Sequence, residues 1–148
     1  EKGEDEVEFL ISANPGEPPK PLSKIASGGE LSRIMLAIKS IFSEIDYTST
    51  LIFDEIDTGV SGSAAEKIGR KMKELSSTSQ VICVTHLSQI AAIADNHYKI
   101  SKHTINENTF TQLEVLDTDK RVMEIARIIS GENITQSALA AAKEILSK

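Results

Sequence analysis

The sequence predicts an α/β fold: a mostly parallel sheet flanked by helices, followed by a hairpin and two more helices. Three observations carry that reading. Leu51-Ile52-Phe53 is an apolar run with no helical stripe, and it stops abruptly at Asp54 and Glu55. A run of that kind reads as a strand buried on both faces. A second such run, Gln80 to Thr85, ends at His86. Between them, Ala65, Ile68, Met72 and Leu75 recur at helical spacing. Strand, helix and strand in that order form a right-handed crossover with parallel strands. Open sheets of this kind take ligands beyond the carboxyl ends of their strands. Asp54, Glu55 and His86 all emerge at that edge if the two strands are neighbours.

Bulk properties bound the answer. A chain of 148 residues is one domain's worth and long enough to bury a core. At 40% hydrophobic and 26% charged residues the composition is that of an ordinary soluble protein. The net charge of −6 argues against a nucleic-acid grip within this segment, because phosphate binding needs clustered basic groups. It leaves open DNA contact elsewhere in a larger molecule. Cys83, the single cysteine, lies within Val81-Ile82-Cys83-Val84 and reads as a small core residue. No run approaches membrane-spanning length and none resembles a signal peptide, so the expected compartment is the cytoplasm.

In chain order, an acidic lead (Glu1 to Glu6) precedes a strand at Val7 to Ile11. All four prolines fall in Asn14 to Pro21, which must be an extended connection. Ser27-Gly28-Gly29-Glu30 then opens a helix whose apolar stripe is Leu31, Ile34, Met35, Ile38, Ile41, Phe42 and Ile45. Glu30 in the first turn suits the helix dipole. A Ser-Gly-Gly helix start exposes backbone N–H groups and can receive a phosphate, although alone it is more often a plain capped turn. Ser63 to Glu66 matches a capping box for the helix after the Asp-Glu strand. A short helix is expected over Leu87 to Ala94. Strands at Tyr98 to Lys102 and Thr109 to Leu116 form a hairpin through Asn106-Glu107-Asn108, with the register open. Of the two final helices, one carries Val122, Ile125, Ala126 and Ile129 and ends near Gly131. The other starts at Thr135 and carries Leu139, Ala142, Ile145 and Leu146. No internal repeat, low-complexity tract or heptad array is present.

Adjacent acids at a strand end have two jobs open to them. Successive strand residues point to opposite faces, so one can hold a divalent cation while the other faces water or a partner. A bare Asp-Glu is otherwise a common loop feature, and a lone histidine after a strand is usually a loop residue. Convergence of all three on one edge favours chemistry.

These residues resemble a known family. Ser27-Gly28-Gly29-Glu30 is similar to the signature of ATP-binding-cassette ATPases. Leu51 to Glu55 is similar to their Walker B strand, Asp57 to Ser61 to their D-loop, and His86 to their switch histidine. The longer strings from Ile25 to Lys39, Phe53 to Gly62 and Val84 to Ala91 resemble the RecN family, as does Val7 to Pro18. RecN proteins are bacterial DNA double-strand-break repair ATPases related to the structural-maintenance-of-chromosomes (SMC) proteins. Transporter cassettes, the nearest alternative, usually continue the signature with glutamine and basic residues rather than Glu30-Leu31-Ser32-Arg33. Their Walker B strand is usually followed by Pro-Thr-Ser rather than Ile56-Asp57-Thr58. Two residues depart from the general pattern: Ala26 where leucine is usual, and Ser61 where the D-loop has aspartate.

The resemblance implies residue roles. Asp54 would support Mg²⁺ and Glu55 would orient or deprotonate the attacking water. His86 would bond the γ-phosphate of ATP. Ser27, Gly28, Gly29 and Glu30 would close over the nucleotide of a second head docked head to tail, with Asp57 and Ser61 in the D-loop between them. A phosphate loop needs Gly-x-x-x-x-Gly-Lys-Ser/Thr, and no Gly-Lys pair occurs here. Residues 1–148 are therefore expected to form the carboxyl-terminal half of a head whose Walker A half and coiled coil lie on another segment. By itself this half is expected to be inactive, and a non-catalytic dimerisation module when isolated is the alternative from a different class. DNA would be engaged through the full-length protein, in the bacterial cytoplasm and near the nucleoid.

Overall fold

The computed structural model describes residues 3–4, 7–12, 16–24, 27–43, 45, 48–105 and 107–147. Ile25, Ala26, Asn14, Pro15, Asn106 and four residues of the acidic lead lie outside them.

Strands β1 (Leu10–Ile11) and β2 (Lys20–Pro21) form a short antiparallel ladder, followed by a single tight turn at Leu22–Lys24. The expected strand at Val7 to Ile11 shrinks to two residues, and its partner comes from the proline-rich connection. Helix α1 (Gly28–Phe42) leads to β3 (Thr50–Phe53), α2 (Gly62–Leu75), β4 (Gln80–Cys83) and the one-turn helix α3 (Ser88–Ala91). A long hairpin, β5 (Tyr98–Ile105) and β6 (Asn108–Val115), precedes α4 (Thr118–Ser130) and α5 (Gln136–Leu146).

The β3–α2–β4 crossover forms as expected. The strands are parallel, with Phe53 opposite Cys83, and the Val84 N–H continues the ladder to the Phe53 carbonyl. Among the described residues this is one of three separate two-stranded ladders, and the other two are antiparallel. The hairpin register is now fixed, Tyr98 opposite Val115 through Ile105 opposite Asn108, and Glu107 makes the turn at φ 64°.

Two apolar clusters hold the chain. The first joins Leu36, Phe53, Ile56, Ala65, Met72, Leu75 and Ile90, with Leu51, Ile68, Val81 and Cys83 packed on it. The second joins Ala91, Ile125, Ala126, Ala138 and Ala142 between α4 and α5.

Three expectations are corrected. Neither β3 nor β4 is buried on both faces: Ile52 is 70% exposed, and Ile82 and Val84 are exposed beside it. The residues described supply a helical cover for one side of the pair only. The α1 stripe is not its packed face either: Leu31, Met35, Ile41, Phe42 and the nearby Ile45 are exposed, and Leu36 is the buried apolar residue. The helix packs through Gly29 and Leu36 because the turn after β3 and helix α2 lie on that side. The capping box at Ser63 does not form. Helix α2 starts two residues earlier, its N-cap is Ser61 with no side-chain bond, and Glu66 pairs with Arg70 at 2.5 Å.

Candidate functional site

The site is built where α1 begins and β3 ends. Ser27 caps α1 from an extended conformation, its hydroxyl accepting the Glu30 N–H at 3.5 Å and its carbonyl accepting the Leu31 N–H. The first turn of the helix is then fastened to the turn 54–58 by side chains. The Ser32 hydroxyl donates to the Asp54 carbonyl at 2.8 Å. Arg33 Nη1 donates to the carbonyls of Ile56 at 3.1 Å and Thr58 at 2.8 Å. Gly29 is buried against that turn: a Cβ there would stand 2.9 Å from the Glu55 carbonyl oxygen and 3.0 Å from Thr58 Cβ. Only glycine permits this approach.

Glu55 itself sits at φ 57°, in the left-handed region, and its carboxylate comes up against Gly28. The catalytic candidate and the signature glycine of one chain are thus neighbours. Asp54 is exposed, with Oδ1 accepting the Glu55 N–H at 2.9 Å. The two acids do different structural jobs in this turn.

Asp57 and Ser61, grouped together in the sequence, differ in burial. Ser61 is exposed at the start of α2. Asp57 turns inward and is 3% exposed. Its Oδ2 accepts the Thr85 hydroxyl at 2.5 Å and the His86 N–H at 2.9 Å, and it faces His86 Nδ1 at 3.1 Å. Burial pushes the Asp57 carboxyl up, but the Thr85 and His86 hydrogen bonds outweigh this and hold it below the ordinary aspartate value. The sheet edge therefore does bring His86 to the Asp-Glu turn, with Asp57 as the link. Burial, and then the charges of Asp57 and Asp54, push the Cys83 thiol up to about 12. That removes it as a nucleophile and bears out its reading as a packing residue.

Sequence reasoning missed Ser32, Arg33 and Thr85. The signal for the first two was a polar pair interrupting an otherwise apolar helix one turn from its start. Thr85 gave none, since β-branched residues are ordinary in strands.

Among the described residues no group of three His, Cys, Asp or Glu side chains gathers to hold a metal. Mg²⁺ commonly takes one or two carboxylates and completes its shell with water and substrate phosphates. Asp54, exposed and with one oxygen engaged, fits that role as a single ligand rather than part of a cage. Bound there with nucleotide, the ion would supply positive charge to the phosphates.

Solved structures carry the same fold. A chain from work on ATP-driven dimerization and DNA-stimulated activation of SMC ATPases superposes with TM-score 0.53 at 24% identity, covering 84% of this chain and 81% of that one. The SMC head with coiled coil and joint from Pyrococcus yayanosii matches with TM-score 0.57 at 23% identity, over 78% of this chain and 24% of that one. No family model matches the chain. These neighbours show that the chain has the fold of SMC head domains.

Sequence relatives narrow the class. The chain is 51% identical over 146 residues to the DNA repair protein RecN of Halalkalibacterium halodurans, covering 99% of this chain and 26% of that protein. It is 51% identical over its full 148 residues to RecN of Bacillus subtilis, and 49% identical over 144 residues to RecN of Treponema pallidum. Coverage is 100% and 97% of this chain, and 26% and 25% of those proteins. The chain is thus similar to RecN proteins over nearly its whole length, and it spans about a quarter of these relatives' length.

Proposed function

We propose that this chain is the signature and Walker B half of a RecN-type head, which hydrolyses ATP once completed by a Walker A half and a second head. The observation that carries this is the fastening of Ser27, Gly28 and Gly29 to the Asp54–Thr58 turn through Ser32 and Arg33. A helix N-terminus able to meet a phosphate and a carboxylate able to handle water then move as one body. Phosphoryl transfer is mostly positioning and charge stabilisation, so a site divided between two surfaces can be switched by docking.

In this reading Asp54 supports Mg²⁺, Glu55 orients or deprotonates water, and His86 meets the γ-phosphate. Ser27, Gly28, Gly29 and Glu30 act on the partner head's nucleotide, and Ser61 lies at the head-to-head surface. Bare apolar faces support the missing Walker A half. Ile52, Ile82 and Val84 are exposed on one sheet face. On the hairpin, Tyr98, Ile100, Leu113 and Val115 share another. Such faces want cover. The net charge of −6 supports placing DNA contact in the remainder of the full protein. No described helix is long and apolar enough to cross a membrane.

The test is ATP turnover by this chain alone, by a RecN amino-terminal half alone, and by the two together. Turnover should arise only in the mixture. Turnover by this chain alone, or micromolar Mg-ATP binding to it, would contradict the division of the site.

A further inference from the structure

The Asp57 side chain has no role in the division of labour above, yet it is the most thoroughly held carboxylate in the site. It is 3% exposed, and three groups converge on its Oδ2: the Thr85 hydroxyl, the His86 N–H and His86 Nδ1. The Leu87 N–H donates in turn to the Thr85 oxygen at 3.1 Å, so Thr85 has one place for its own proton, on Asp57. The imidazole beyond this anchor is 74% exposed. One ring nitrogen is therefore tied to a buried carboxylate while the rest of the ring faces solvent.

We propose that Asp57 is a positioning residue for His86: it fixes the neutral ring as the Nδ1–H tautomer and presents Nε2 outward as the working atom. A carboxylate accepts only, so the nitrogen facing it must carry the proton. The outer nitrogen then holds its lone pair. It can take a proton from water or meet an anion by acquiring a second proton, and the imidazolium so formed is already paired on its inner side. The same logic governs other carboxylate–histidine pairs, where the acid sets tautomer and orientation without itself changing protonation. Geometry further couples the two halves of the site, since Asp57 lies on the turn that Arg33 grips through the carbonyls of Ile56 and Thr58.

The functional part rests on the ATPase reading above; the tautomer does not, and the test separates them. Long-range ¹H–¹⁵N spectra of the histidine-labelled chain at neutral pH, without nucleotide, should show His86 protonated on Nδ1. Finding the proton on Nε2 would overturn the proposal at once, whatever the fate of any variant. Asp57→Asn should shift His86 toward the Nε2–H form that free side chains favour, whereas Thr85→Val, which leaves the carboxylate in place, should keep Nδ1–H. An unchanged tautomer in Asp57→Asn would equally overturn it. In the two-part head, Asp57→Asn should lower kcat by about 10–100-fold, as losses of orienting partners commonly do, with KM for ATP little changed. A rise in KM alone would instead assign Asp57 to nucleotide binding and overturn the positioning role. A wild-type head that never turns over would defeat the ATPase reading while leaving the tautomer result intact.

Discussion

The two apolar clusters of this chain differ in what they leave uncovered. Helices α4 and α5 pack small residues against each other, with Ile125, Ala126 and Ala142 fully buried. Their ends are finished: Asp117 accepts the Lys120 N–H, Thr135 accepts the Ala138 N–H, and Gly131 closes α4 at φ 79°. The cluster beneath the candidate site also buries Ile56 and Ala65 completely. Its sheet, however, is two strands wide among the described residues and carries Ile52 bare on the far side. The helical pair is more nearly complete: among the described residues its exposed large apolar side chains are Met123 and Ile129, the latter expected on the packed side of α4. The part that carries the candidate site leaves an apolar sheet face bare, and in the proposed reading a Walker A half would cover it.

The sharpest way to break this contrast is at Glu55. In a head assembled from both halves, Glu55→Gln should cut turnover by about 10²–10⁴-fold. Nucleotide binding and ATP-dependent dimerisation should persist, and Asp54→Asn should instead weaken Mg²⁺-dependent binding. Two variants failing in the same way would abolish the assigned division between the acids.

Stability tests the contrast next. Ile125→Ala, fully buried in the finished cluster, should cost about 2–5 kcal/mol in denaturant unfolding. Ile52→Ala should cost less than about 1 kcal/mol in this chain alone, because the side chain is already wet. With the amino-terminal half bound, the same change should approach a core-like loss. An Ile52 penalty that ignores the second half would mean the bare face stays bare.

A smaller effect probes how the site is fastened. Gly29→Ala meets the Glu55 carbonyl and Thr58 at about 3 Å, and should cost about 1–3 kcal/mol as the crowded turn gives way. Hydrogen exchange should quicken in the first turn of α1 and leave α4 untouched. Uniform loosening would argue that the two regions are not separable.

The smallest effect is a pH limb on the finished side. Burial pushes Glu124 up, but hydrogen bonds from Arg127 at 2.6 Å and Lys99 at 2.8 Å outweigh it and hold its pKa below the ordinary glutamate value. A lowered folded-state pKa gives stability that is present above the unfolded value and lost as pH falls through the folded one. Thermal melts should therefore fall on acidification below the usual glutamate range, and Glu124→Gln should flatten that limb. An unchanged acid limb would assign it to other carboxylates.

Much of this was legible in the residues, for identifiable reasons. The β3–α2–β4 crossover announced itself because strand and helix periods alternate cleanly between Leu51 and Thr85. Caps at Ser27 and Thr135 and the stop at Gly131 follow from local chemistry. What misled was the α1 stripe and the apparent double burial of β3. Periodicity shows that a face is apolar and cannot say which neighbour, if any, covers it. Asp57 was legible as part of a motif but not as the anchor of His86, since a contact 29 residues apart leaves no local trace.

Glu55 carries a consequence for anyone who would improve this protein. Its left-handed backbone costs a side-chain-bearing residue about 1–2 kcal/mol, which glycine at the same position would not incur. Glycine gives back about 0.5–1 kcal/mol through a freer unfolded chain, leaving a modest net gain. A thermostability screen run without an activity readout would therefore drift toward Glu55→Gly and discard the carboxylate. In the proposed reading, selection for turnover is what would keep a strained glutamate there, so heat resistance and hydrolysis would pull position 55 in opposite directions.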